Sequence, residues 1–161
     1  SHLYSEHRDA VMASPADAMM ISRDNGRSWT KKIIHEDFYI TSMVQKGRTL
    51  YGVVYFTYPV SATEERMVYW TSKDRGNTWR RHEGRVKVPD SLSLHTGKSV
   101  WGSLLFHRGM EVLPDGTLQG VMYGHLGKEK KYTSVLVRSS DNCKSWHVVS
   151  VIAAGVPPDS A

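Results

Sequence analysis

One pattern occurs three times in this chain: SRDNGRSW at residues 22–29, SKDRGNTW at 72–79 and SSDNCKSW at 139–146. All three fit S-x-D-x-G-x-(S/T)-W, except that Cys143 stands at the glycine position of the third copy. An internal repeat indicates a repeated structural unit, and such a unit determines the architecture of the whole chain. These segments are called the first, second and third octapeptides below.

Each octapeptide has the composition of a tight turn. An Asp carboxylate accepts hydrogen bonds from N–H groups just downstream, and Gly adopts a positive φ without steric cost. The Ser or Thr before the Trp can add a local hydrogen bond that holds the turn closed. Strand-like runs such as residues 18–21 and 134–138 precede the turns, and the Trp begins a second run. Each octapeptide is therefore predicted to be a hairpin turn with its Trp packed alongside.

The side chains of these turns are predicted to be structural, not catalytic. Cys143 requires either a different bend in the third turn or a side chain held at positive φ. The residues assigned this structural role are Asp24, Gly26, Trp29, Asp74, Gly76, Trp79, Asp141 and Trp146.

Composition limits the classes of partner. The 161 residues are enough for one domain, and no run of about 18 apolar residues predicts a membrane span. The single cysteine excludes an internal disulfide framework. The net charge of +5 favours anionic ligands, but Lys and Arg are spread along the chain without a dense block, so nucleic acid and membrane are not predicted as partners.

The spacing of the octapeptides predicts an all-β propeller. Asp24 and Asp74 are 50 residues apart, and Asp74 and Asp141 are 67 apart, which is typical of four-stranded blades. The segment LPDGTL at 113–118 predicts a further hairpin turn, and QKGRTL at 45–50 is its counterpart. Each unit then contains four strands, and the chain contains about two and a half units.

A single segment of propeller is thus predicted, with five parts. Because strands alternate in direction, the octapeptide turns and the turns between strands 1 and 2 of each unit are expected at one end. The connections from strand 2 to 3 and from strand 4 to the next strand 1 are expected at the other end, where a site is predicted. The parts are a half blade at 1–35, a blade at 36–84, an inserted loop at 85–105, a blade at 106–152 and a tail at 153–161.

Arg108, near the start of a predicted strand at residues 106–113, is the main candidate for binding an anionic group, with His107 beside it. A guanidinium group can donate two parallel hydrogen bonds to a carboxylate. Glu36 and Asp37 form a carboxylate pair of the kind that performs acid–base chemistry on glycosides, and they are the candidate catalytic residues. Adjacent strand residues point to opposite faces, so at most one of the two faces a common ligand.

Three further residues are candidates for contact with a substrate. Trp101, in the inserted loop, is expected either to stack on a sugar ring or cover a pocket, or to be a packing anchor. Tyr58 and Glu64 are expected in the loop between the second and third strands of a blade. His95 and His125 lack the spacing of a metal site, and no nucleotide-binding glycine motif occurs, so neither metal nor cofactor is predicted.

The repeated S-x-D-x-G-x-T-W element resembles the Asp box, or BNR repeat, of the sialidase (neuraminidase) superfamily. The stretch FHRGMEVLPDGTL at 106–118, followed by Met122, Tyr123 and Gly124, is similar to a blade of sialidase-like bacterial proteins. The resemblance implies a six-bladed β-propeller that hydrolyses terminal sialic acid, with an arginine triad on the sugar carboxylate, an Asp acid/base and a Tyr nucleophile activated by a Glu. It also implies a secreted or periplasmic location.

The chain departs from that pattern in two respects. The F/Y-R-I-P segment that carries the first arginine of the triad is absent, and about ten strands cannot close a ring of blades. The chain is therefore a fragment of a longer protein, or self-associates to complete the propeller, or closes in an unusual way.

The predicted function is a sialidase-like glycoside hydrolase fold that acts on or recognises a terminal anionic sugar, without a complete catalytic set in this chain. The alternative is a noncatalytic Asp-box propeller used for glycan or protein binding or assembly. Whether the chain is an enzyme stays open; an active form is expected to be an exo-sialidase.

Overall fold

Ten β-strands make up most of the described chain. The structure is a computed structural model that describes residues 18–35, 38–92, 94, 104–126 and 131–156. Apart from one turn of 3-10 helix at Asp90–Leu92, every regular element in these residues is a strand, which confirms the all-β prediction. The strands are β1 (Ala18–Ile21), β2 (Thr30–Ile33), β3 (Ile40–Lys46), β4 (Thr49–Ser61), β5 (Glu64–Ser72), β6 (Arg80–Lys87), β7 (Leu104–Val112), β8 (Leu118–Leu126), β9 (Lys131–Ser139) and β10 (Ser145–Val156).

Two antiparallel four-stranded meanders form the body of the molecule. The first meander is β3 to β6 and the second is β7 to β10, while β1 and β2 form a separate hairpin. Hydrogen bonds also join the meanders: β6 pairs with β10 in parallel, and β4 pairs with β7 at Phe56 and Leu105. The strands β4-β5-β6-β10-β9-β8-β7 therefore close into a ring of seven, with β3 paired to β4 outside it.

The second strand of the first meander is longer than the sequence indicates. The apolar run around Leu50 predicts a strand that ends at Thr57, whereas β4 continues to Ser61 and turns directly into β5. Cross-strand pairs at Tyr58–Arg66 and Pro59–Glu65 extend the ladder through this region. The predicted loop between these two strands is therefore reduced to residues 62–63.

The turns meet at one end of the fold. The first and second octapeptides are joined by a hydrogen bond of 2.7 Å from the Arg23 guanidinium to Asn77 Oδ1. Lys46, at the β3–β4 turn, donates to Asn142 of the third octapeptide over 2.7 Å, and its side chain also lies beside Gly116 of the β7–β8 turn. At the opposite end, Leu94 N–H donates to the Ala62 carbonyl.

A close backbone contact holds the third octapeptide against the first meander. Arg85 N–H donates to the Lys144 carbonyl over 3.0 Å, where β6 and β10 run in parallel. A Cβ atom on Gly84 would lie 2.5 Å from the Cys143 carbonyl oxygen and 3.2 Å from that of Lys144. Only glycine allows the two backbones to approach this closely.

Two hydrophobic clusters support these sheets. The larger lies between the meanders and includes Val53, Met67, Phe106 and Trp146. The smaller packs the β1–β2 hairpin onto the first meander through Met19, which joins a buried cluster with Phe38, Ile40, Val54, Val68 and Trp70. The hairpin is thus attached by side-chain packing.

Candidate functional site

The octapeptide turns have the predicted hydrogen bonds. In the second copy, Asp74 Oδ1 accepts from the Ser72 hydroxyl and the Thr78 N–H, each at 2.8 Å, and Oδ2 accepts from the Thr78 hydroxyl at 2.6 Å. The Gly76 N–H donates to the Ser72 hydroxyl over 2.8 Å. The same set forms around Asp24 and Asp141. These carboxylates are engaged in holding their own turns.

Serine and threonine donors set the acidity of these carboxyl groups. The hydroxyl and N–H of Ser28 lower the pKa of Asp24 to about 2, and those of Thr78 do the same for Asp74. Burial raises the pKa of Asp141, but donors from Ser145 and Ser139 outweigh this effect, and the pKa stays below its ordinary value. All three side chains are anionic at neutral pH.

The predicted ligand contacts at Tyr58 and Glu64 are placed differently from the expectation. Both lie in strands, Tyr58 in β4 and Glu64 at the start of β5. The Arg66 guanidinium lies over the Tyr58 ring, 5.4 Å from its centroid, and Glu64 forms an ion pair with Arg85. The loop position was wrong because β4 continues into a two-residue turn.

Several candidates fall outside the described residues. They are Glu36, Asp37, His95 and Trp101. The neighbouring His35 is exposed, and its ring centroid lies 5.7 Å from that of Trp70. Within the described part of the chain, no group of three or more His, Cys, Asp or Glu residues could hold a metal ion. That part also contains no helix long and apolar enough to cross a membrane.

His107 and Arg108 lie on a bulge in the middle of β7. The register between β7 and β8 shifts between Phe106 and Met110, and Gly109 has φ of 118°. Ser42 of β3 fixes this bulge, because its hydroxyl donates to the His107 carbonyl over 2.7 Å and accepts from the Gly109 N–H over 2.9 Å. The prediction of a strand-start position was wrong, since β7 begins at Leu104. A bulge redirects side chains, and here both His107 and Arg108 are exposed.

A cluster of tyrosines lies beside this bulge. The hydroxyl groups of Tyr55 and Tyr123 are hydrogen-bonded to each other across the two meanders. The His107 ring packs edge-on against Tyr123, with centroids 5.6 Å apart, and Tyr39 lies 6.0 Å from Tyr55. Tyr132 extends the cluster on the other side, 6.5 Å from Tyr123. We call Tyr39, Tyr55, His107, Arg108, Tyr123 and Tyr132 the tyrosine cluster.

Two tyrosines of this cluster, Tyr39 and Tyr55, hold their protons strongly. Burial raises the pKa of Tyr39, and the Arg108 charge opposes that rise. Burial and the hydrogen bond with Tyr123 raise the pKa of Tyr55 well above its usual range. Neutral phenol groups donate and accept hydrogen bonds, and the adjacent guanidinium binds anions. The cluster can therefore hold a polyhydroxylated ligand that carries a negative charge.

Sequence reasoning missed Tyr39, Tyr55, Tyr123 and Tyr132 as site residues. A short repeat carries the missing signal: GVVY at 52–55 in β4 and GVMY at 120–123 in β8. A Cβ on Gly52 would lie 2.4 Å from Ile40 Cδ1, and one on Gly120 would lie 2.5 Å from Phe106 Cζ. Each glycine admits a large side chain from the neighbouring strand, and each tyrosine three positions later contributes to the shared hydroxyl pair.

Comparison with solved structures identifies the fold as sialidase-like. The Hadza microbial sialidase Hz136 superimposes on 85% of this chain with a TM-score of 0.59 and 17% identity. The Trypanosoma rangeli sialidase, solved in complex with 2,3-difluorosialic acid as a covalent intermediate, covers 86% with a TM-score of 0.53 and 16% identity. The chain spans 31% and 26% of these two proteins.

Sequence comparison gives a more limited match. No family model matches the chain. A curated relative, the vacuolar protein sorting/targeting protein 10 of Laccaria bicolor, is 31% identical over 94 residues. This match covers 53% of the chain and 6% of the relative.

Proposed function

We propose that this chain is part of a sialidase-like β-propeller that recognises a terminal anionic sugar at the tyrosine cluster. In this proposal the three octapeptides are Asp boxes, each meander is one blade, and β1–β2 is the outer half of another. The order of strands within each meander and the likeness to two solved sialidases support it. The main supporting observation is the β7 bulge, which exposes Arg108 near enough to Tyr39 for the guanidinium charge to oppose the rise in the pKa of that phenol.

The groups in the cluster have separate roles in this proposal. Arg108 binds the sugar carboxylate through two parallel hydrogen bonds, because a planar guanidinium matches that geometry. The tyrosine hydroxyls hydrogen-bond to sugar hydroxyls, and the aromatic faces pack against the C–H surface of the ring. Ser42 acts through the bulge, since it holds the backbone on both sides of Arg108.

Recognition of the sugar does not require its hydrolysis, and the two are tested separately. The F/Y-R-I-P segment that the resemblance associates with the first arginine of the triad is absent from the sequence, and the chain covers less than a third of each sialidase. We therefore infer that this chain alone does not contain a complete catalytic set. A fluorogenic sialoside should give no turnover above that of Arg108→Ala; turnover above that level would instead establish an enzyme.

Binding of a sialic-acid-terminated oligosaccharide, measured by isothermal titration calorimetry, tests the recognition site. Arg108→Ala should weaken binding by about tenfold or more, and Arg108→Lys should restore only part of it, because a lysine keeps the charge but loses the paired hydrogen bonds. Arg80→Ala is the matched control, since Arg80 is exposed and belongs to β6, a strand that contributes no residue to the tyrosine cluster. Equal affinity for the neutral oligosaccharide without sialic acid would contradict the proposal.

A noncatalytic propeller used for protein binding or assembly is the second candidate. The match to a protein named for sorting and targeting favours it. Light scattering tests one form of this idea, since self-association that completes a propeller requires a defined oligomer. A strict monomer that unfolds cooperatively would contradict closure by assembly.

A further inference from the structure

Basic side chains are concentrated at the end of the fold that carries the turns. We define the turn face as residues 22–32, 46–48, 72–81, 113–118 and 138–144. These segments contain twelve Lys and Arg residues and four Asp residues, a net charge of +8. Because the whole chain has a net charge of +5, the remaining residues carry −3. Lys and Arg residues are spread along the sequence, but the fold brings most of them to the end that carries the turns.

Contacts between the turns join these segments in two groups, and the pairing of Leu50 with Ser72 brings the two groups together at one end of the fold. Arg23 and Lys32 both donate to Asn77, which joins the first octapeptide and β2 to the second. Lys46 donates to Asn142 and lies beside Gly116, which joins three further turns. Arg138 lies close enough to Asp115 for its charge to help lower the pKa of that carboxyl group.

Most of the positive charge on this surface faces solvent. The described ion pairs of the chain involve Arg66, Arg81 and Arg85, and only Arg81 belongs to the turn face. The basic side chains that bridge the turns donate to neutral acceptors, as Arg23 and Lys46 do to asparagine side chains. The Asp carboxylates accept hydrogen bonds from within their own turns. Arg27, Lys31, Arg48, Lys73, Arg75, Arg80, Arg138 and Lys144 are all exposed.

The charged side chains project from a rigid backbone. Each octapeptide is held by the same set of hydrogen bonds around its Asp, and the second and third pack against neighbouring strands. A preformed array of charges loses little conformational entropy when it binds an extended anion. Adjacent positive charges also increase the rate at which such a ligand is captured.

We propose that the turn face binds a sulfated polysaccharide, at a location separate from the tyrosine cluster. A sulfated polymer presents closely spaced anions on a flexible chain, which suits positive charges distributed over four neighbouring segments of the turn face. Single-stranded nucleic acid binds through several aromatic side chains that stack on bases, whereas Trp29 is the large aromatic residue exposed on the described turn face. Proteins that recognise the sequence of duplex DNA insert a helix or a two-stranded β-ribbon into a groove. The short turns of the turn face provide neither element.

Two triple variants with the same net charge test this proposal. Arg27→Gln, Lys31→Gln and Lys73→Gln remove three exposed charges from the turn face. Arg66→Gln, Arg85→Gln and Lys87→Gln remove three exposed charges from β5 and β6 away from it. Affinity for fluorescein-labelled heparin is measured by anisotropy between about 50 and 200 mM salt, where binding by counterion release depends steeply on salt. Circular dichroism confirms that both variants remain folded.

The expected result is a loss of about tenfold or more for the turn-face variant, with a salt dependence reduced by roughly three counterions, and a much smaller loss for the other variant. Equal losses would show that net charge alone drives binding, and would overturn the proposal. Binding of duplex DNA or of vesicles with anionic lipids as tightly as heparin would also overturn it. The sialylated oligosaccharide test at Arg108 is independent, so either proposal can fail alone.

Discussion

The second and third octapeptides have the same turn conformation in different surroundings. Gly76 has φ of 83° and Cys143 has φ of 71°, so the cysteine occupies the left-handed conformation that its position requires. The Trp79 indole donates to the Gly76 carbonyl over 3.2 Å, whereas the Trp146 indole N–H has no acceptor within the described residues. The equivalent carbonyl, that of Cys143, lies against Gly84 of β6.

The octapeptide is a surface turn in one copy and part of the hydrophobic core in another. The first octapeptide is at the surface, and Trp29 remains 40% exposed there. The third is part of the junction between the meanders, and both Cys143 and Trp146 are completely buried. The unpaired indole N–H and the strained cysteine cost free energy, which the burial of a large aromatic side chain offsets.

The largest expected effect is at Trp146. Trp146→Ala should reduce the free energy of unfolding by about 3–5 kcal/mol, because it creates a cavity in the core between the meanders. Trp29→Ala, the matched change in the exposed copy, should cost less than about 1.5 kcal/mol, since that side chain is already partly solvated. Urea denaturation followed by circular dichroism measures both; equal losses would mean that the two copies are energetically alike.

The next largest effect is expected at two glycines, Gly84 of β6, which faces the third octapeptide, and Gly76 of the second octapeptide. Gly84→Ala should cost about 2–3 kcal/mol, because the new Cβ would lie 2.5 Å from a backbone oxygen and the strands must separate. Gly76→Ala should cost only about 1 kcal/mol, from its positive φ, since the nearest atom to its Cβ is 3.7 Å away.

The labelling rate of the Cys143 thiol measures how tightly the β6–β10 junction is packed. Burial raises its pKa and removes it from solvent, so labelling by a thiol reagent should be slow in the native protein. Gly84→Ala should accelerate labelling, and Gly76→Ala should not. Fast labelling in the unmodified chain would contradict a tightly packed third turn.

The smallest effect is in the acidity of the turns. Ser28→Ala should return the pKa of Asp24 from about 2 towards its ordinary value. Ser145→Ala should also raise the pKa of Asp141, because burial is then opposed only by the N–H of residue 145 and the Ser139 hydroxyl. Carboxyl carbon shifts in an NMR titration measure both.

The same titration gives the sign of the pH dependence. The lowered pKa of Asp24 and Asp74 contributes stability above the unfolded-state pKa, near 4, which is lost as pH falls towards about 2. Ser28→Ala should therefore make stability less dependent on pH in this range. An unchanged profile would show that the hydrogen bonds of the turn persist in the unfolded chain.

The sequence predicts the hairpins well, because their determinants are local. Asp, Ser and Gly lie within a few positions of one another in each octapeptide, so turn chemistry alone predicts the contacts around Asp24 and Asp74. The pairing of β6 with β10 and that of β4 with β7 join distant residues, and no local pattern specifies them.

The candidate site was predicted only in part for the same reason. Arg108 could be selected by its chemistry, and its role as a ligand-binding residue stays a prediction. Its surroundings depend on the bulge around Gly109 and on the hydroxyl of Ser42, which comes from another meander. The hydroxyl pair of Tyr55 and Tyr123 likewise requires two meanders to meet, and a sequence pattern within one meander does not show that.

The glycine contact at the β6–β10 junction also bears on the order of folding. Hairpins within a meander close over short loops, whereas Arg85 and Lys144 are about 60 positions apart and meet only when two preformed units dock. Docking of the two meanders is therefore expected to be a late step, which follows the transition state for the folding of each meander. An alteration at Gly84 should then mainly raise the unfolding rate and leave the folding rate almost unchanged. Contacts at the β6–β10 junction are therefore expected to slow the unfolding of the native protein.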